Sequence, residues 1–142
     1  MTTFHNPDGM WAPFGAFSMM ALQGTGQIAH LKGQVSLNAE GEVVGPSDMA
    51  LQVRQVLENI RTCLASAGGE MRDVLSLVHY TTDINAFMGC GEIRAGFFQP
   101  PYPITTTVEV AALYDPRLVI EITAVAEIPR DRLIMPSPAT TS

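Results

Sequence analysis

The stretch PSDMALQVRQVLENIRTCLASAGG, residues 46–69, constrains this chain more than any other. Met49, Val53, Val56, Leu57, Ile60, Cys63 and Leu64 recur at helical spacing and share one face. Ser47 or Asp48 can cap the start, and Gly68 and Gly69 end the run. Arg54, Glu58 and Arg61 fall on the opposite, solvated side. A helix with one apolar stripe must bury it against another layer. The remaining periodicity is that of strands, so the layer is a sheet.

DVLSLVHYTTD, residues 73–83, is apolar on both faces and reads as a central strand. Two strands are expected near 17–23 and 27–35, turning at the GTG of 24–26. Two more are expected at 103–112 and 117–128. LNAEGEVVG carries turn residues and a short strand at Val43. INAFMGCGEIRAGFF, residues 84–98, is weakly helical. Its Gly89, Gly91 and Gly96 each cost about 1 kcal/mol against alanine. Residues 1–16 read as an irregular arm and 134–142 as a loose tail of one domain spanning 1–142. The order predicts an α+β fold with helices on one side of a sheet.

Alternation sorts the last two strands into faces. Leu118, Ile120, Ile122 and Ala124 are expected to meet the helices. Val119, Glu121, Thr123 and Val125 then face away, and Thr105, Thr107 and Glu109 are expected on that same outer face. Only 15% of residues are charged, against a typical value of about 25%. A chain so poor in charge has surface to hide, which predicts a homo-oligomer covering the mixed face.

Charge and motif content exclude several function classes. The net charge is −6 and Lys32 is the only lysine, which argues against nucleic acid as a partner. No apolar stretch approaches the roughly 20 residues that span a bilayer. The first residues lack the charged start and apolar middle of a signal peptide, and Cys63 and Cys90 form no CxxC pair. Both cysteines are expected as reduced thiols in a cytoplasmic protein. His5, His30 and His79 lack metal-ligand spacing, no nucleophile elbow is present, and the GTG turn is no phosphate cradle. Two residues stand out. Glu121, flanked by isoleucines, is exposed, paired, or held for acid–base work. Lys32, just before Gly33, is a surface lysine or an ammonium for a substrate carboxylate.

Several segments occur in a telling order. Gly33-Gln34 follows the second strand, QVRQVLENI lies on the long helix, and TTDINAF follows the central strand. Pro103, Thr106, Thr107, Val108, Glu109 and Val110 open the next strand, and VIEITAVA closes the sheet at 119–126. Over residues 17–128 this set resembles the Rid family, also called YjgF or L-PSP, the reactive-intermediate deaminases. The resemblance implies a chorismate-mutase-like fold and a homotrimer with three clefts between subunits. It also implies hydrolysis of enamines and imines such as 2-aminoacrylate to a keto acid and ammonia, with no metal or cofactor.

By the same resemblance Glu121 stands at the family's glutamate, the partner of the attacking water, and Gly33 at the glycine whose backbone lies by the ligand. Phe17 replaces a cleft tyrosine, Gly91 stands where asparagine is frequent, and Thr107 where active members often carry cysteine. Thr105 departs from the deaminating subgroup, which has a carboxylate-clamping arginine there. Lys32 is the expected replacement cation and Arg94 the second candidate. The expected substrate is therefore a conjugated enamine from aromatic ring cleavage, as in the family's 2-aminomuconate deaminases, and Phe17, Phe98 and Tyr102 either border its site or are plain packing. The alternatives are a non-catalytic trimer that binds a small carboxylate, and a ribonuclease or translation inhibitor, which the acidic charge disfavours.

Overall fold

The structure, a computed structural model, describes residues 1–140. Helix α1 (Met49–Ala65) forms where the apolar spacing places it. The Asp48 carboxylate caps it by accepting the Leu51 N–H at 3.1 Å. Ser47 lies in the left-handed region at φ 58° and does not cap. Val53, Val56, Leu57, Ile60 and Leu64 are buried, as is Met49. Cys63 departs from the expected stripe and is exposed, whereas Cys90 is buried.

The main sheet contains β3 (Gln27–His30), β4 (Val74–Thr81), β5 (Ile104–Glu109) and β6 (Ile120–Ile128). Their spatial order is β3-β6-β4-β5. Strand β6 runs antiparallel to β3 and β4, while β4 and β5 are parallel, so the sheet is mixed. A parallel pair needs a crossover, and the weakly helical stretch provides it as two short helices, α2 (Ile84–Met88) and α3 (Gly91–Ala95). The break falls at Gly89 and Cys90, which follow α2 as its C-cap and precede α3 as its N-cap. Leu77, Ile122, Ala124 and Phe87 join the α1 residues in one core between sheet and helices.

The start of the chain departs from expectation. Residues 1–16 begin with strand β1 (Thr3–His5), which pairs antiparallel with β2 (Met20–Leu22) in a separate two-stranded sheet. Strands β2 and β3 therefore do not pair with each other. The cause is Glu127 on β6, a buried carboxylate. It accepts the N–H groups of Gly24 at 2.9 Å and Gly26 at 2.7 Å, and also the Thr2 hydroxyl. The N-terminal ammonium lies 3.5 Å away. Burial alone would raise its pKa, but these donors hold it down to about 2. Pinning the GTG turn to β6 lays β3 along β6 and leaves β2 to the first residues. Strand β3 ends at His30, and Gln34 and Val43 form only isolated bridges, to Ile122 and Leu37. Of the tail, 134–140 has no regular structure, and 141–142 lie outside the described residues.

The faces require a second correction. Leu77, His79 and Thr81 of β4 lie opposite Thr105, Thr107 and Glu109 of β5, so those three share the helix-covered face. Glu109 accepts the Ile84 N–H of α2 at 3.0 Å. Tyr80 lies opposite Glu121, and Val78 opposite Thr123, on the other face. Alternation shows that residues 105, 107 and 109 lie together; only the register decides the side.

Two buried polar groups yield predictions. Gln52, fully buried on α1, donates to the carbonyls of Gly45 at 2.8 Å and Arg117 at 2.7 Å. Its Oε1 accepts the Val119 N–H at 2.9 Å. Gln52→Leu deprives that N–H of its acceptor and removes two further bonds, so urea denaturation should show a loss of about 3 kcal/mol. A loss below about 1 kcal/mol would mean that the clamp is dispensable.

His79 is buried, 4.8 Å from the Phe87 ring and 2.8 Å through Nδ1 from the Thr107 hydroxyl. Burial, with help from the Arg94 charge, lowers its pKa from 6.5 to about 3. The unfolded chain therefore takes up this proton first as pH falls. The stability it contributes is fully present above 6.5 and declines as pH drops toward 3. Urea midpoints should fall between pH 6.5 and 4.5, with a limiting slope of about 1.4 kcal/mol per pH unit. His79→Gln should flatten this window; an unchanged slope would assign it to another group.

Candidate functional site

The arm and the edge strand meet through backbone contacts. The Ser18 N–H donates to the Pro103 carbonyl at 3.0 Å, and Ser18 bridges Ile104 in parallel. This carries residues 11–19 along the open side of β5. Helices α2 and α3 stop short of covering β5, and a cleft of about 840 Å³ remains. That volume lies in the range of small-molecule sites, about 300–1,000 Å³.

The cleft gathers four of the expected site residues, Phe17, Gly91, Thr105 and Thr107, together with Arg94. Tyr102 lines it as well, but Phe98 is buried in the core and does not. Of the aromatics expected either to border the site or to pack in the core, Phe98 packs under the helices. In its place stand Trp11 and Phe14, hidden in a segment without periodicity. Trp11 stacks on Phe14 at 5.8 Å, and Phe14 meets Phe17 edge-on at 5.2 Å. The only signal for them was the aromatic content of the arm.

Two polar features face this space. The Thr107 hydroxyl is held by His79, whose Nε2 has no hydrogen-bond partner among the described residues. Burial keeps that imidazole neutral, so it orients the hydroxyl without adding charge. Arg94 lies with its guanidinium 4.6 Å over the Phe87 ring, and its Nε is buried without a partner. Burial pushes the Arg94 pKa down and that of the neighbouring Cys90 up.

The other expected residues form a second cluster across the sheet. A Cβ on Gly33 would fall 2.1 Å from the Glu121 carboxylate, so only glycine allows this approach. Glu121 is half-buried, and Lys32 beside Gly33 is exposed. The Lys32 carbonyl accepts from the Gln34 side-chain amide at 3.2 Å. Within one chain, then, the hydroxyls and Arg94 occupy one face while Glu121, Gly33 and Lys32 occupy the other. The expectation that Thr105 and Thr107 share a face with Glu121 is overturned by the β4–β5 register. No group of three or more His, Cys, Asp or Glu with the spacing of a metal site occurs among the described residues. No helix there is long and apolar enough to cross a membrane.

A family profile described as Endoribonuclease L-PSP matches residues 10–128. A RutC family protein of Pyrococcus horikoshii is 36% identical over 116 residues, covering 80% of this chain and 88% of that protein. A solved structure from Yersinia pestis, a protein of unknown function in the conserved Rid family, superposes with a TM-score of 0.81 at 35% identity. The alignment covers 89% of this chain and 98% of that one. The structure of Escherichia coli TdcF with bound serine gives a TM-score of 0.65 at 29% identity, covering 80% and 91% of the two chains. Profile, relatives and fold agree over nearly the same span, and the chain belongs to the Rid family, also described as L-PSP or YjgF.

Proposed function

We propose that this protein is a cofactor-free hydrolase of enamine and imine intermediates, and that its site is completed only where copies of the chain meet in a trimer. The observation that carries this reading is the division of the expected site residues between two faces of one sheet. A cleft with hydroxyls and a cation lacks the family's glutamate, and the Glu121 cluster lacks a pocket. A neighbouring copy that brings its Glu121 and Gly33 to the mouth of the cleft supplies both. The outer face suits such an interface: Val78, Tyr80, Thr123 and Val125 are half-buried with no helix over them, and Val108 is 38% exposed.

The chemistry asks little of the protein. An enamine tautomerises to an imine, whose carbon is electrophilic. Glu121 accepts a proton from water as the oxygen adds to that carbon. That proton passes to nitrogen to give a carbinolamine; Glu121 then relays the hydroxyl proton to the amine as the C–N bond breaks, and a carbonyl and ammonia leave. Thr105 and Thr107 hydroxyls, with backbone N–H groups near Gly33, hold the polar end of the substrate. Positioning and one acid–base group suffice, because imines hydrolyse readily in water. TdcF holds serine in its structure, which supports a small amino or keto acid as the ligand class here. The aromatic-lined cleft favours a conjugated enamine from ring cleavage such as 2-aminomuconate, and Lys32 supplies a cation on the Glu121 side.

A second reading, a trimer that binds a small carboxylate without turnover, is favoured by Thr105 in place of the family's arginine. The ribonuclease description of the family sits poorly with a net charge of −6. Ammonia release from enzymically generated 2-aminoacrylate and 2-aminomuconate separates the readings. The second should be consumed faster, and Glu121→Ala should lower its rate by about 100-fold or more, to the uncatalysed level. Acceleration of neither substrate would leave the binding module.

A further inference from the structure

Most of the chain's arginines are spoken for. Arg61, Arg72, Arg117 and Arg132 each pair with a carboxylate, and Arg130 donates to the Thr25 carbonyl at 3.0 Å. Arg94 differs from them. It is half-buried, it lines the cleft, and among the described residues it forms no ion pair. Its stack on Phe87 fixes the guanidinium, and burial has already removed part of its water. A guanidinium held this way has lost hydration without gaining a counter-charge, and a planar carboxylate restores what it lacks through paired N–H donors.

The opposite wall explains the rest of the ligand. Trp11 is 60% exposed and Phe14 is 78% exposed, although both are large aromatics. They stack at 24° between ring planes and present flat surface to the cleft alongside Phe17 and Tyr102. Such surface favours flat, unsaturated groups over flexible saturated chains. Glu92 also lines the cleft, which disfavours a second negative charge on the part of the ligand that lies inside it.

We propose that Arg94 is the carboxylate anchor of this cleft and that the arm's aromatics form its wall, so that the cleft takes a planar conjugated carboxylate. The proposal rests on reading the cleft as the ligand site, and it is independent of hydrolysis.

The test uses the full chain with three probes: sorbate, its neutral amide sorbamide, and the saturated acid hexanoate. Trp11 is the only tryptophan, so its emission reports on the cleft directly, and calorimetry gives affinities. Sorbate should alter Trp11 emission and bind about tenfold or more tightly than sorbamide, with hexanoate weaker than sorbate. Arg94→Met should weaken sorbate by about tenfold to hundredfold and leave sorbamide unchanged; Arg94→Lys should recover only part. Sorbamide binding as tightly as sorbate, hexanoate matching sorbate, no sorbate binding at all, or an indifferent Arg94→Met would each overturn the proposal. If Arg94→Met does not fold, the acid–amide comparison on the unaltered protein decides alone. Arg94-dependent sorbate binding without ammonia release from any enamine would keep this anchor and remove the hydrolase. Ammonia release with Arg94-independent binding would do the reverse.

Discussion

Strand β4 is hydrogen-bonded on both sides, and its register decides what every neighbouring side chain faces. His79 stands opposite Thr107 on one flank and Ile122 on the other, all turned toward the helices. Tyr80 stands opposite Val108 and Glu121, all turned away. A slip of one residue would invert this assignment and expose the core. The irregularity between Val74 and Ser76 shifts the pairing with β6 at the start of the strand, so the register holds from Ser76 onward. The separation of the cleft from the Glu121 cluster is thus as firmly set as the core itself.

Buried polar groups do the joining that apolar packing cannot. Gln52 ties α1 to the loop at Gly45 and to the approach of β6. Glu127 ties the GTG turn and the chain start to β6. His79 ties β4 to Thr107 at the floor of the cleft. Gln52 and Glu127 are stable because their partners are in place, since an unpaired buried polar atom costs more than a bond gains. His79 carries that cost at its Nε2, unpartnered among the described residues. These contacts therefore select one arrangement of loops over a sheet that could support several.

Elements with strong periodicity were legible from sequence: α1 from its 3.6-residue stripe, β4 from its two apolar faces, β6 from its alternation. What escaped was set by long-range contacts. The pairing of β1 with β2 follows from Glu127, more than a hundred positions from the turn it holds. The side taken by Thr105 and Thr107 follows from register with β4. Phe98 packs in the core, the alternative the sequence left open, and Trp11 lines the cleft, because tertiary packing decides which aromatic reaches it. Cys63 fits the spacing of the stripe but lies at its margin near the helix end, where coverage gives out. The resemblance singles out Gly33 as a glycine beside the ligand; its close approach to Glu121 is visible only in the structure.

The departure at Thr105 bears on how such a site tolerates change. Thr105 on β5 and Arg94 on α3 line the same cleft from different elements. If Arg94 anchors the carboxylate as proposed, a ligand held from α3 would extend past Trp11 and Phe14, which line the cleft, toward its mouth. On the proposed trimeric reading, that mouth is where a second chain's Glu121 arrives. A short substrate clamped at Arg94 would then leave its reacting carbon inside the cleft, away from the base. A longer conjugated one would place it at the mouth. On that proposal Arg94 and the aromatic arm select for length as well as charge, while the register of β4 with β5 and β6 keeps the acid outside the cleft.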